Sequence, residues 1–320
     1  MTHETIYYLG LLGNAHPLLE HINLPSGIRF EQIRYDNLIE LLSLLRRVST
    51  FDIGGELLGQ NISYPPDGGG QLHEMCSIVV TGSFTGELEW TGDDIRLLSK
   101  FPNEALQFDN EIVQKIINPT LSLIRIGRAC NIQKFIDYYY VVDEGRPTLI
   151  TARYSSKDIF TEYLSLKEED ISILQLFLNS HTLPPKTAFV QQALDIFELA
   201  YSITNSGVSF ILLMTCLEVL FEAGAHKVAR NAAVLLSKDE SSAQSIFMEV
   251  KRLHKLRSEV LHSGKLTKVK WADVNSLRNV AREAIRHLFN VNLDKERFLE
   301  DLNRFGFADQ ARVHALLTSS

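Results

Sequence analysis

Arg257 and His262 stand with four residues between them in the stretch KRLHKLRSEVLHSG at 251–264. A histidine titrates near neutrality and can take or give a proton at a reacting oxygen. A guanidinium fixes an oxyanion such as a phosphate through a rigid fork of N–H donors. Upstream, Ile246, Val250 and Leu253 recur at helical spacing, and the apolar stripe continues to Val260 and Leu261. Arg257 falls on that stripe, where a core residue is expected. A charge at such a position requires a partner, either an acid across a helix interface or a phosphate. Two readings follow. In one, the pair does chemistry on a phosphate. In the other, His262 meets the last carbonyls of its helix before Gly264, and Arg257 pairs with an acid across a bundle, for which Glu218 is available.

Geometry constrains the first reading. Side chains five residues apart diverge by about 140° on an ideal helix, so one regular helix does not aim both at one phosphate. The Ser263-Gly264 ending predicts that the helix unwinds near His262 and redirects its imidazole. Pairing of two copies about a two-fold axis is the other way to gather the groups in one cleft.

The surrounding residues carry a family resemblance. LMTCLEVLF at 213–221, VARNAAVLL at 228–236 and VKRLHKLRSEVLHSG at 250–264 follow one another as in a HEPN domain, and the segment from about Ser209 to Asn290 resembles the Apea-like group of that superfamily. The chain departs from the usual form at two points. His254 stands where a tyrosine is common, and Ser263 separates His262 from Gly264. The resemblance implies a metal-independent endoribonuclease, a homodimer using paired motifs, with no cofactor and with a role in prokaryotic defence or growth control, as a toxin or an antiviral nuclease. RNA would supply the 2′-hydroxyl nucleophile, and the products would end in a 2′,3′-cyclic phosphate and a 5′-hydroxyl. Arg257 would bind the phosphate and His262 would move the proton, with Ser258 and Glu218 orienting the arginine. Some members of the superfamily are non-catalytic, so a HEPN module that dimerises and binds RNA or protein is the alternative.

The charge distribution bears on the partner. The chain of 320 residues has a net charge of −7, which argues against a polyanion. Residues 205–290 nevertheless hold 13 Lys/Arg against 8 Asp/Glu. Lys251, Arg252, Lys255, Arg257, Lys265, Lys268 and Lys270 fall within twenty residues, a cluster that attracts a polyanion. Lys251, Arg252 and Lys255 are the expected RNA contacts. A solvated helix face followed by a basic loop gives the same pattern.

Hydrophobic content of 45% and charged content of 22% fit a globular protein long enough for two domains. The start, MTHETIYYLG, lacks a basic region followed by an apolar run. The longest apolar run, Val208–Phe221, is too short for a bilayer and contains Glu218, so it reads as a buried helix. Cys76, Cys130 and Cys216 are scattered, without the spacing of a disulfide framework or a zinc site. A cytoplasmic protein with no membrane contact and no metal site is the expectation.

The chain is expected to be α+β overall, a mixed α/β domain over 1–180 followed by an all-α bundle over 186–320. Runs at Ile6–Leu12, Ile28–Tyr35, Ser77–Thr81, Leu121–Arg125, Phe135–Val142 and Pro147–Tyr154 read as strands, the last two as a hairpin around 143–145. Tyr35–Val48 and Asn103–Ile117 read as helices. Tyr138, Tyr139 and Tyr140 suggest a stacking platform for bases, but strand alternation favours one or two of them being exposed. The glycines at 54–55 and 68–70 lack a phosphate-loop pattern and read as loop. Prolines 184 and 185 mark the boundary, and beyond it the chain reads as helices to its end. A trigger, target or protein partner is the expected ligand of the amino-terminal domain.

Overall fold

The strand β1 (Thr2–Gly13) is apolar on both faces, and the amino-terminal unit is built around it. Successive side chains of a strand point to opposite faces. Ile6, Tyr8 and Leu12 enter one core, and Leu9 and Leu11 enter the other. A strand covered on both faces belongs at the centre of its sheet, and β1 lies there.

A computed structural model describes residues 2–45, 76–88, 103–154, 164–307 and 309–318. The fold is α+β, and the chain divides into two compact units, Met1–Asn179 and Ser180–Ser320. Among the described residues the first unit holds a five-stranded antiparallel sheet. Its strands are β1, β2 (Arg29–Arg34), β3 (Cys76–Leu88), β4 (Gln133–Asp143) and β5 (Arg146–Tyr154), in the order β2-β3-β1-β4-β5. Helix α1 (Tyr35–Leu45) covers one face through Leu38, Leu42 and Leu45. The other face is covered by a helical segment in three parts: α2 (Asn103–Phe108), a π-helical stretch (Asp109–Ile117) and α3 (Asn118–Gly127). Helix α4 (Glu168–Ser180) adds Leu174 to that core.

The β4–β5 hairpin forms as its sequence dictates. Asp143 pairs with Arg146, and the two residues between them, Glu144 and Gly145, both take positive φ (46° and 77°). That is the backbone a two-residue hairpin loop requires. The run Leu121–Arg125 corrects the strand expectation, since it lies within α3. Leu121, Leu123, Ile124 and Ile126 are all buried, so its apolar pattern carries no period that separates helix from strand. The tyrosines at 138–140 form no platform. Tyr138 is buried against the α1 face, Tyr139 against the opposite core, and Tyr140 is half-buried and stacks on Tyr7. The glycines at 54–55 and 68–70 lie outside the described residues.

Polar groups inside this unit are matched to one another. Gly10 faces Asp137 across the β1–β4 register. A Cβ at Gly10 would come within 2.6 Å of Tyr8 Oη. The missing side chain therefore makes room for the Tyr8 phenol, which donates to Asp137 Oδ1 at 2.5 Å. Lys134 Nζ reaches the other carboxylate oxygen at 2.7 Å. Tyr139 donates to Asp109 Oδ1 at 3.1 Å, and Arg153 pairs with Asp109 Oδ2 at 2.8 Å. Burial, and then the Asp137 charge, push the Tyr8 phenol well above its ordinary range, so it serves as a donor.

The second unit is entirely helical among the described residues. Its elements are α5 (Ala188–Tyr201), α6 (Ser206–Phe221), α7 (Ala225–Leu236), α8 (Glu240–Ser263), α9 (Trp271–Leu288), α10 (Lys295–Arg304) and α11 (Gln310–Thr318), with a short 3₁₀ turn at Leu266–Lys268. Helix α6 is apolar around nearly its whole circumference and is packed by α5, α7, α8 and α9. Among the described residues no single helix is long and apolar enough to cross a membrane.

One close approach fixes the loop after α8. A Cβ on Gly207 would lie 2.7 Å from Leu266 Cβ and 2.9 Å from the Leu266 carbonyl oxygen. Beside it, Ser206 Oγ donates to the Val269 carbonyl at 3.1 Å. Helix propensity alone favours alanine over glycine by about 1 kcal/mol. The clash with main chain outweighs it, so Gly207→Ala is expected to destabilise by about 1–3 kcal/mol. Urea denaturation measures this, and a midpoint equal to or above the wild type would contradict the contact.

Candidate functional site

Helix α8 carries most of the candidate residues, and both of its ends are fixed. At the start, Ser242 N–H donates to Asp239 Oδ1 at 2.7 Å, and Ser242 Oγ accepts from the Asp239 N–H at 3.0 Å. This reciprocal box satisfies two amide groups that a helix start leaves without partners. At the end, Gly264 takes a left-handed conformation (φ 66°), and its N–H donates to the Val260 carbonyl at 2.8 Å. Glycine adopts that conformation without steric cost. The reversal therefore comes after His262, which stays helical and exposed in the last turn. The helix thus ends near His262, as its Ser263-Gly264 ending predicts, but the imidazole is not redirected.

Arg257 lies on the inward side of α8. Its Nη2 donates to Glu218 Oε2 at 3.1 Å. Glu218 is the sole charged side chain of α6, placed by an otherwise apolar helix. Its second oxygen, Oε1, lies 3.4 Å from His254 Nε2. One turn of α8 thus sets His254 and Arg257 side by side on a single carboxylate. The three side chains are 14%, 24% and 16% exposed for His254, Arg257 and Glu218. Arg257 Nε and His254 Nε2 are buried without a hydrogen-bond partner, the latter within ion-pair distance of Glu218 but misaligned for a bond.

The candidate residues divide between two sides of the helix. Glu218, His254 and Arg257 come together. His262 does not join them, since it leaves α8 about 140° away from Arg257. Lys251, Lys255 and His262 are exposed, Ser258 is half-buried, and the four lie within an arc of about 60° on the outward side. Ser258 is thus on the side of His262 rather than on that of Arg257, which it was expected to orient. Lys251 Nζ sits 5.5 Å from the centre of the Phe247 ring.

Arg252, an expected RNA contact, is engaged within the bundle. Its Nε and Nη2 donate to the two oxygens of Glu249, both at 2.8 Å, and Nη1 donates to Asp273 Oδ1 at 2.9 Å. The same hydrogen bonds from Arg252, with one from Ser276, hold the Glu249 carboxyl below its usual range. Arg230, the arginine of the preceding short helix, donates to the carbonyls of Leu302, Asn303 and Phe305 and so closes the end of α10.

His254 is the residue whose place the sequence did not reveal. It read as a departure at an aromatic position, although its spacing of three from Arg257 could have linked the two. Two further arginines, Arg278 and Arg282 on α9, are buried around Tyr201, with the Arg278 guanidinium 4.3 Å from the centre of its ring. Among the described residues no three His, Cys, Asp or Glu side chains gather where they could hold a metal ion. Comparison of the chain with protein-family models, with curated proteins and with solved structures finds no match in any of the three.

Glu218→Gln keeps the shape of the carboxylate and removes its charge. It leaves the guanidinium paired with a neutral amide, partly screened by water. The expected loss is about 1–2 kcal/mol of stability, read as a lower urea midpoint with an unchanged slope. Equal stability of Glu218→Gln and wild type would show that the Arg257 pair contributes nothing to the bundle.

Proposed function

We propose that this protein is a metal-independent endoribonuclease of HEPN type, acting as a homodimer in the cytoplasm. The observation that carries the reading is the arrangement of α8: Arg257 held by Glu218 at 3.1 Å, with His262 exposed in the last turn before Gly264. In the proposed reaction the 2′-oxygen of RNA attacks the adjacent phosphorus. The P–O5′ bond breaks, the 2′-hydroxyl loses its proton, and the departing 5′-oxygen gains one. The products end in a 2′,3′-cyclic phosphate and a 5′-hydroxyl. A histidine handles the proton transfers, and the guanidinium of Arg257 offsets the charge that builds on the phosphoryl oxygens.

Two-fold pairing supports this chemistry for a physical reason. Arg257 and His262 diverge on one helix, so a second copy is needed to bring an arginine and a histidine onto one phosphate. Two histidines would also divide the roles of base and acid. The resemblance of residues 209–290 to Apea-like HEPN domains is what connects this arrangement with RNA, and a role in prokaryotic defence or growth control rests on that resemblance alone. The amino-terminal sheet unit would then recognise a trigger, a target or a protein partner.

A second reading has its own observation. Arg257 is already neutralised by Glu218 and its Nε is buried, as in an arginine that ties a bundle together. On that reading the chain is a non-catalytic HEPN module that dimerises and binds RNA or protein.

Cleavage of tRNA and single-stranded RNA in EDTA separates the two. Wild type is expected to cut, leaving cyclic phosphate ends, and His262→Ala is expected to lose about 10²–10⁴ in rate while remaining dimeric by light scattering. Arg257→Ala is expected to lose activity as well. Intact dimerisation and RNA binding without cleavage by the wild type would favour the module.

A further inference from the structure

The cations of the all-helical unit fall into two groups. Several are neutralised within the fold: Arg252 by Glu249 and Asp273, Arg257 by Glu218, Lys227 by Glu222, and Arg286 by Glu283. Others stand without a carboxylate partner among the described residues; two of these share one face of α8, and a third follows just past its end. Lys251 and Lys255 are exposed on the outward side of α8, and Lys265 is exposed just past Gly264. The positions 251, 255, 258 and 262 advance by four, three and four residues, which keeps Lys251, Lys255, Ser258 and His262 in one straight stripe along the helix. At 1.5 Å per residue the stripe is about 16 Å long. A phosphate chain responds to charge that is not already spent on the protein's own acids. The seven basic residues counted in the sequence therefore reduce to fewer effective ones, and Arg252 is not among them.

We propose that this outward stripe of α8 is the track for the sugar–phosphate backbone of unpaired RNA. Lys251, Lys255 and Lys265 contact phosphates, Ser258 offers its hydroxyl, and the strand passes His262. The choice of RNA as the polyanion rests on the reading given under Proposed function. An unpaired strand fits for two reasons. One helix face of this width meets a single backbone, and in-line attack by a 2′-oxygen requires a nucleotide free to leave duplex geometry. The fold holds the far end of the track in place through the contact of Leu266 with Gly207 and the bond from Ser206 to Val269. Arg252 has a positioning role instead, joining α8 to α9 through Asp273.

The test uses the full chain and a fluorescent 20-nucleotide 2′-O-methyl single strand, which lacks the nucleophile and cannot be cut. Anisotropy is followed between 50 and 300 mM salt. Each phosphate contact to a single strand contributes about 0.7 to the slope of log affinity against log salt. The double variant Lys251→Gln/Lys255→Gln is expected to lower that slope by about 1.4 and to weaken binding about 25-fold near 0.1 M salt. Arg252→Gln is expected to keep the wild-type slope, with circular dichroism confirming that both variants are folded.

Any of these results would overturn the track: an unchanged slope in the double variant, an equal fall in Arg252→Gln, tighter binding of the matching duplex, or no binding by the wild type at 50 mM salt. Competition by an acidic peptide as effective as RNA would also overturn it, in favour of a protein partner. The expected slopes in a wild type that leaves ordinary RNA uncut would keep the track and sink the nuclease reading.

Discussion

A carboxylate on an apolar core helix is the constraint from which the arrangement of the second unit follows. Glu218 rides on α6, whose other side chains supply the centre of the bundle. Its charge is tolerated only where a cation and some water can reach it. Arg257 meets that need, and His254 lies beside it on Glu218 because residues three or four apart share a helix face. The rotation of α8 about its axis is thereby set. With Arg257 turned inward, the helix presents Lys251, Lys255 and His262 outward. The pairing that stabilises the bundle and the surface that faces solvent are consequences of one rotation.

The position of Gly264 has a similar reach. Because the chain reverses there, α8 keeps its regular geometry through His262, and the angle between His262 and Arg257 stays near that of an ideal helix. A reversal one turn earlier would have freed the imidazole to fold back. The loop that follows is then closed against the start of α6, where Gly207 lets two stretches of main chain approach. The basic residues after α8 are thus attached to a short, pinned turn.

The first unit solves a different problem, that of a sheet covered on both faces. Its largely buried acids and tyrosines have little access to water and pair within the unit: Tyr8 with Asp137, which Lys134 also reaches, and Tyr139 with Asp109, which Arg153 also reaches. Asp109 reaches its partners from the π-helical stretch. The vacancy at Gly10 is part of that arrangement, since any side chain there would occupy the space of the Tyr8 phenol. Alternation on β4 places Tyr138 and Tyr139 in opposite cores, which removes them as a surface for bases.

Much of this architecture was legible in the residues. The helices of the second unit follow from apolar spacing and from the prolines at 184 and 185. The β4–β5 hairpin follows from Glu144-Gly145, and the end of α8 from Gly264. These are local signals, set by side-chain periodicity and by backbone conformations that few residues adopt. Leu121–Arg125 misled because a segment buried on all sides has no periodicity to read. The candidate site was legible only in part. Sequence spacing identified Arg257, His262 and the nearby lysines. Glu249, three residues from Arg252, was within reach of a local reading, but the acids that meet Arg252 and Arg257 from other helices, Asp273 and Glu218, lie 21 and 39 residues away along the chain. Nor could sequence spacing place His254 on Glu218. The residue types and the helix that carries them were fixed by sequence, whereas the charges left facing solvent were decided by packing, because an ion pair between helices depends on rotation and distance that no local pattern encodes.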